Sequence, residues 1–279
     1  PGSAVLLVGV LDKVGTFGMI KLCLPIFPAA SEFYAPVIIV LCVVGIIYGA
    51  LLAIGQTDLK RLIAYTSVSH FGFIGLGIFA MTTQGQSGST FYMLNHGFST
   101  GALFLIAGFL MTRRGSRLIA DFGGVYRVAP VLAGLFLIAG LSSLSLPGMS
   151  SFISEFLVLV GTFEKYTVAA VIATLGIVLA ALYILLMYQR TMTGPVKDGC
   201  EKMTDVKGRE ALAIIPMLVL LVALGVYPKP VLDVVNPAVE RVMQQTGQRD
   251  PLPTVKPLAA EEAKERVSNV SSSIEGGAR

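Results

Sequence analysis

The sequence has little charge, two histidines, three cysteines and no tryptophan. Only 14% of its 279 residues are charged, while 54% are hydrophobic. A soluble domain carries about 25% charged residues, so this composition excludes an ordinary soluble protein and predicts an integral membrane protein. We expect one helical membrane domain followed by a polar tail.

The few cysteines and the small net charge exclude several classes of site. Cys23, Cys42 and Cys200 show neither a CxxC spacing nor a pairing pattern, and two of them lie in apolar segments. We therefore expect no metal site, no haem attachment and no disulfide scaffold. The net charge of +4 does not indicate a nucleic-acid partner, because the basic residues lie between apolar segments, where membrane topology explains them.

Seven apolar segments are long enough to cross a bilayer. A hydrocarbon core of about 30 Å requires about 20 helical residues. The predicted segments run over Ala4 to Phe27, Tyr34 to Gly55, Leu62 to Met81, Thr90 to Met111, Pro130 to Phe163, Thr167 to Tyr188, and Ala211 to Tyr227.

The fifth segment is too long for one straight helix. It contains Pro147 and Gly148, and no lysine or arginine occurs anywhere in Val128 to Glu164. Proline removes a backbone donor and clashes with the preceding turn, so two half-helices joined by unwound backbone are predicted. The predicted fold class is all-α: a polytopic transmembrane bundle of about seven spans with one helix broken at Pro147/Gly148.

The chain divides into three predicted regions. Residues 1–228 form the transmembrane bundle, residues 229–243 an amphipathic segment along the membrane surface, and residues 244–279 a disordered polar tail. Because an apolar segment begins within three residues of Pro1, without an initiating methionine, we expect a fragment of a longer protein.

Charge in the loops predicts the orientation. The loops after the second, fourth and sixth segments are basic, whereas the intervening loops contain only Lys165. Basic loops stay on the cytoplasmic side, so the C-terminal tail is predicted to emerge on the outer face of the membrane. The residues that set this asymmetry are Lys60, Arg61, Arg113, Arg114, Arg117, Arg127, Arg190, Lys197, Lys202, Lys207 and Arg209.

Four titratable side chains lie at membrane depth, on four different predicted spans. They are Lys13, His70, His96 and Glu155. Each such group costs about 2.5 to 3.5 kcal/mol on insertion scales and marks a functional site by default. Together they predict a polar track across the bundle, which runs from Glu155 through His96 and His70 to Lys13. Two alternatives remain: Asp12 and Lys13 form a structural ion pair, and the histidines are hydrogen-bonded core residues.

The residue types of this track suit proton movement better than solute binding. Histidine titrates near neutral pH, and a solute site would add aromatic and amide side chains around the broken helix. Lys60 precedes His70 by about 15 Å of helix and is either a group through which protons enter or a topological anchor. Nearby hydroxyl groups either order water or pack helices. They belong to Tyr65, Thr66, Ser67, Ser69, Ser99 and Thr100.

Two motifs resemble a known family. The stretch Gln56–His70 (QTDLKRLIAYTSVSH) and the break at Leu146-Pro147-Gly148 with Phe152–Phe156 (FISEF) resemble the antiporter-like membrane subunits of respiratory complex I. The sequence from Leu224 to Asp233 resembles the end of the M-type subunits. The resemblance covers Pro1 to about Glu240.

The resemblance implies the second half of a fourteen-helix subunit, helices eight to fourteen, with one of two inverted five-helix repeats. It implies that Lys13 is the central lysine of helix eight and that Glu155 is the acidic group that replaces a lysine of related subunits. His70 and His96 match the family's histidines that link this lysine to this acidic group. Lys60 matches the lysine at the start of helix ten. Asp12 departs from the expected apolar residue and would modulate Lys13.

The resemblance further implies a proton-translocating subunit of NADH-quinone oxidoreductase, a translocase driven by quinone reduction elsewhere in the complex. No cofactor or metal is expected in this chain, whereas NADH, flavin, iron-sulfur clusters and quinone belong to partner subunits. Expected partners are neighbouring antiporter-like membrane subunits and the lipid bilayer, with no nucleic acid. A subunit of a multisubunit cation/proton antiporter is the alternative, followed by a secondary solute transporter and a purely structural membrane subunit.

Overall fold

A computed structural model describes residues 2–252 of the chain. Within this range the backbone is helical almost throughout and contains no β-strand, apart from one isolated bridge between Asp58 and Leu118. Helices satisfy all backbone hydrogen bonds within one segment, as the bilayer requires. The predicted all-α transmembrane fold class is confirmed.

The helices follow the predicted segments closely. Within residues 2–252, six helices are long and apolar enough to cross a membrane, and two shorter apolar helices share the fifth segment. We label the helices α1 Gly2–Ile26, α2 Pro28–Ile54, α3 Leu59–Ala80, α4 Thr83–Arg114, α5 Pro130–Ser143, α6 Ser150–Phe163, α7 Thr167–Met192, α8 Gly208–Val226 and α9 Lys229–Thr246.

Helices α3 and α4 lie at the centre of the bundle, and α1 and α2 lie at its edge. Most side chains of α3 and α4 are buried. In contrast, Leu6 of α1 is 64% exposed and Phe33 of α2 is 76% exposed. His70 and His96, on α3 and α4, are therefore surrounded by protein on all sides.

The fifth segment is broken as predicted. Helix α5 ends at Ser143, which is the residue whose carbonyl the ring of Pro147 would meet if the helix continued. Ser145 and Gly148 adopt left-handed backbone conformations, with φ of 59° and 97°. Helix α6 begins at Ser150, so the unwound backbone comprises residues 144–149.

The three basic loops lie together at one end of the bundle. The isolated bridge joins the first loop to the second, and the backbone N–H of Gly124 donates to Thr193 O at 2.9 Å. Arg113 donates to Thr204 O at 2.7 Å and forms an ion pair with Glu210 at 2.6 Å. The loops that are predicted to lie on the same side of the membrane are thus in direct contact.

Asp205, in the third basic loop, caps helix α5. Its carboxylate accepts hydrogen bonds from the backbone N–H groups of Val131 and Leu132, each at 2.9 Å. Partial burial alone would raise the pKa of the Asp205 carboxyl. The two hydrogen bonds, a third from the backbone N–H of Val206 and the nearby Arg113 charge outweigh this effect, so the pKa lies below its ordinary value. The loop therefore holds the first turn of the broken helix.

Helix α9 closes the other end. Its residues Val239, Val242 and Met243 are buried against the bundle, and Asp250 accepts a hydrogen bond from Thr83 N at 2.7 Å. The helix ends at Thr246, so the predicted boundary at 243 was three residues short, and residues 244–246 are helical rather than part of a disordered tail. The rest of that predicted tail, 253–279, lies outside the described residues.

Replacing Asp205 should destabilise the bundle. Asp205→Ala removes two hydrogen bonds at the N-terminus of α5, for an expected loss of about 1 kcal/mol. The midpoint of thermal unfolding of the purified protein measures this, with the exposed Asp198→Ala as the control.

Asp205 also predicts a pH dependence. Because its folded pKa lies below the ordinary value of 3.8, its contribution is full above that pH and disappears as the pH falls below it. The difference in midpoint between wild type and Asp205→Ala should therefore be constant from neutral pH down to about pH 5. A difference that vanishes already at neutral pH would contradict the capping role.

Gly225 of α8 allows this helix to pack directly on the broken segment. A Cβ atom at Gly225 would lie 2.6 Å from the carbonyl carbon of Met149, so the backbone of the break would have to move. Gly225→Ala should cost about 1 to 3 kcal/mol of stability. Gly134→Ala, which meets no atom within 4 Å, should be neutral or stabilising.

Candidate functional site

Lys13 and His96 are in direct contact. The Lys13 ammonium lies 2.7 Å from His96 Nδ1 and 2.9 Å from the Asp12 carboxylate, and it also donates to the Val8 carbonyl. It lies 5.2 Å from the centre of the Phe71 ring. These partners replace the water that a cation at membrane depth lacks. The structure therefore joins the first and fourth predicted spans through this pair.

Helix α1 has an irregular backbone on both sides of Lys13. Residues Leu7–Leu11 and Met19–Cys23 form π-helical turns that flank Asp12–Gly18. Such turns insert one extra residue and occur frequently at functional sites. They rotate the following residues around the helix axis, and here Lys13 directly follows the first π turn.

The hydrogen bond from Lys13 determines the state of His96. A charged lysine has only donors, so Nδ1 must accept and the ring proton of a neutral His96 lies on Nε2. Nε2 is buried and has no hydrogen-bond partner within residues 2–252. This nitrogen is available to pass a proton onward.

His70 lies next in the row. Its ring centre is 5.4 Å from that of His96. Its Nδ1 is 2.7 Å from the Tyr92 hydroxyl, and its Nε2 is 3.5 Å from Ser143 Oγ at the end of α5. His70 is therefore connected both to the lysine side of the row and to the broken helix.

Glu155 lies on the first turns of α6, just after the break. Its side chain is 3% exposed, and no lysine, arginine or histidine among residues 2–252 forms an ion pair with it. Its polar neighbours are the Ser145 hydroxyl and the phenol of Tyr183, which is itself buried. The row thus runs from Lys13 through His96 and His70 toward Glu155.

Several buried polar atoms along this row have no hydrogen-bond partner within the described part of the chain. Unsatisfied buried groups are rare in proteins, so each of these atoms can still accept or donate a hydrogen bond. They include Asn95 Oδ1, His96 Nε2, Thr100 Oγ1, Ser145 Oγ, Ser150 Oγ and Tyr183 OH.

Other sequence-predicted residues lie elsewhere. Lys60 is in the first turn of α3, at the end of the bundle that carries the basic loops, and does not contact the row. Ser69 donates to Ile46 O at 2.9 Å and Thr66 to Ile63 O at 2.8 Å, so these hydroxyl groups bond to backbone. Pro147 and Gly148 form the break itself. Within residues 2–252 no cluster of histidine, cysteine or acidic residues could hold a metal ion.

Sequence reasoning missed Tyr92 and Ser145. Tyr92 precedes His96 by four residues, so both side chains project from the same face of α4, and this spacing was a usable signal. Ser145 gave no local signal, because its position depends on how the break unwinds.

Known proteins match both the sequence and the fold. Residues 1–181 match the family described as NADH:quinone oxidoreductase/Mrp antiporter, TM. The chain is 60% identical to NADH-quinone oxidoreductase subunit M of Mycobacterium tuberculosis over 91% of its own length and 46% of that protein. It thus spans about half the length of this relative.

Two solved structures share the arrangement of helices. A chain of respiratory complex I from Thermus thermophilus superposes with a TM-score of 0.80 at 32% identity, over 85% of this chain and 50% of the other. A chain of the Mrp complex from a Dietzia species gives a TM-score of 0.68 at 21% identity, over 77% of this chain and 49% of the other. At this identity the two chains are similar in fold alone. The sequence match extends over more than half of the chain, and the chain therefore belongs to the NADH:quinone oxidoreductase/Mrp antiporter transmembrane family.

Proposed function

We propose that this chain is part of a proton-translocating membrane subunit of NADH-quinone oxidoreductase, in which protons move along the row Lys13, His96, His70 and Glu155. The observation that carries the proposal is the 2.7 Å contact between Lys13 and His96 inside the bundle. A lysine serving only as a structural cation would be satisfied by Asp12 and backbone. Contact with a histidine nitrogen adds an acceptor for its proton.

The chemistry of the row is transfer between neighbouring groups. The Lys13 ammonium gives a proton to His96 Nδ1, and His96 releases its Nε2 proton toward His70, whose ring centre lies 5.4 Å away, either directly or through one water molecule. Each transfer moves a charge by a few ångströms and changes the field at the next group, which couples the steps. Glu155 is the distal acceptor of this path.

The driving reaction takes place in other subunits. Quinone reduction elsewhere in the complex, with NADH, flavin and iron-sulfur clusters in partner subunits, supplies the free energy, and this chain carries out no redox step. Its partners are the neighbouring antiporter-like subunits and the lipid bilayer. The basic loops face the cytoplasm of a bacterial plasma membrane and the region after α8 faces outward, because positive loops are retained inside.

A subunit of a cation/proton antiporter complex is the second candidate. The shared family and the fold of the Mrp chain favour it. Copurification separates the two functions: flavin and iron-sulfur subunits accompany a complex I subunit, whereas an antiporter complex contains neither.

Replacing Glu155 tests the path. Glu155→Gln keeps the size of the side chain but removes its ability to take up and release a proton, so proton pumping linked to NADH oxidation should fall by on the order of tenfold or more. Membrane vesicles that contain the assembled complex allow pumping and NADH oxidation to be measured together. Glu164→Gln, at the exposed end of the same helix, is the matched control and should pump normally. Normal pumping by Glu155→Gln would exclude the assigned role.

Lys13→Arg separates a proton carrier from a structural cation. Arginine keeps the positive charge but does not release its proton in proteins. Pumping should therefore be lost on the order of tenfold or more while the complex still assembles. Lys165→Arg, outside the row, serves as the control. Full pumping by Lys13→Arg would show that Lys13 supplies only charge.

A further inference from the structure

A gap separates His70 from Glu155. The two side chains share no hydrogen bond, although they lie on the same row. Two hydroxyl groups occupy the region between them, those of Tyr92 and Ser145. Neither residue has a role in the path described above.

Tyr92 is placed to exchange a proton with His70. It is 1% exposed, and its hydroxyl lies 2.7 Å from His70 Nδ1, a normal hydrogen-bond length. The rings of the two residues meet edge to face at 5.8 Å, and Phe73 lies on the other side of Tyr92. The phenol is thus held in one position by packing, and its oxygen reaches toward the broken helix.

Ser145 lies in the unwound segment after α5, two residues beyond Ser143, whose hydroxyl is 3.5 Å from His70 Nε2. Its hydroxyl is beside both the Tyr92 hydroxyl and the Glu155 carboxylate, yet it is buried and forms no hydrogen bond within residues 2–252. A rotation of this hydroxyl or one bridging water completes the link.

The backbone of Ser145 gives a second, independent observation. Its φ of 59° lies in the left-handed region, which glycine adopts freely and a residue with a side chain adopts only at a cost in free energy. Glycine would therefore suit this position better than serine for folding alone. The hydroxyl group is the only polar group that serine adds here.

We propose that the hydroxyl groups of Tyr92 and Ser145 relay protons between His70 and Glu155, an inference that rests on the proposed function and names two further residues of the path. Protonated His70 gives its Nδ1 proton to Tyr92 Oη as Tyr92 gives its own to Ser145 Oγ. Ser145 in turn gives its proton to the Glu155 carboxylate. Each hydroxyl receives one proton and releases one, so the net change is neutral His70 and protonated Glu155.

The serine provides the sharper test. Ser145→Gly removes the hydroxyl and also relieves the left-handed backbone. The relay predicts an unchanged or raised thermal midpoint together with a loss of pumping on the order of tenfold or more. The matched control is Ser69→Ala, next to His70, whose hydroxyl donates to the α2 backbone instead of the row. It should pump normally.

The tyrosine tests the other half of the link. Tyr92→Phe retains the ring and its packing against His70 and Phe73 but removes the hydroxyl. Pumping per NADH oxidised should fall to a similar degree as in Ser145→Gly, with the complex assembled on a native gel. Tyr188→Phe, whose ring packs against Phe136, controls for the loss of a phenol elsewhere.

The outcomes distinguish the relay from the function on which it depends. If Glu155→Gln stops pumping while Ser145→Gly and Tyr92→Phe pump normally, the relay is wrong and the path stands. If Glu155→Gln itself pumps normally, the proposed function is wrong. Ser145→Gly could also lose pumping together with a lowered midpoint of thermal unfolding or a dissociated complex. That result would give the serine a structural role and would also overturn the relay.

Discussion

The contact between Lys13 and His96 is the interaction on which the rest of the site depends. A cation inside a bilayer must find partners within the protein, and Lys13 has the Asp12 carboxylate, the Val8 carbonyl and a histidine nitrogen. The π turn before Lys13 and the burial of α4 behind His96 place the two groups together. Once Lys13 donates to Nδ1, the Nε2 nitrogen of His96 is buried without a hydrogen-bond partner within residues 2–252, and the His70 ring lies 5.4 Å away.

The broken helix supplies the other end of the site, and both of its halves are fixed from outside. Asp205 holds the first turn of α5 from a loop at one end of the bundle, and α8 packs on the break at Gly225. Between these supports, the end of α5 brings the Ser143 hydroxyl to 3.5 Å from His70 Nε2, and the unwound backbone brings the Ser145 hydroxyl next to Glu155. Rigid ends thus position a short irregular segment whose backbone groups would be costly if they faced lipid.

Much of this was predictable from sequence, because membrane thickness and proline chemistry act locally. The spans and the break at Pro147 were correct. The predicted row had His70 next to Lys13, whereas in the structure His96 contacts Lys13 and His70 follows, and the roles of these residues remain predictions. The π turns of α1 were missed because the segment is apolar almost throughout, so its sequence has no helical periodicity in which an inserted residue could be detected. Ser145 and the Asp205 cap were missed since both depend on contacts between distant parts of the chain.

In the proposed mechanism, buried polar groups form one connected path from Lys13 to Glu155. A structure of the intact complex in lipid, at a resolution that shows water, would reveal whether the path is continuous. We expect water density next to His96 Nε2, and either water or a direct hydrogen bond joining Ser145 to Tyr92 and Glu155. A dry gap at either place, with apolar side chains between the polar groups, would contradict the mechanism.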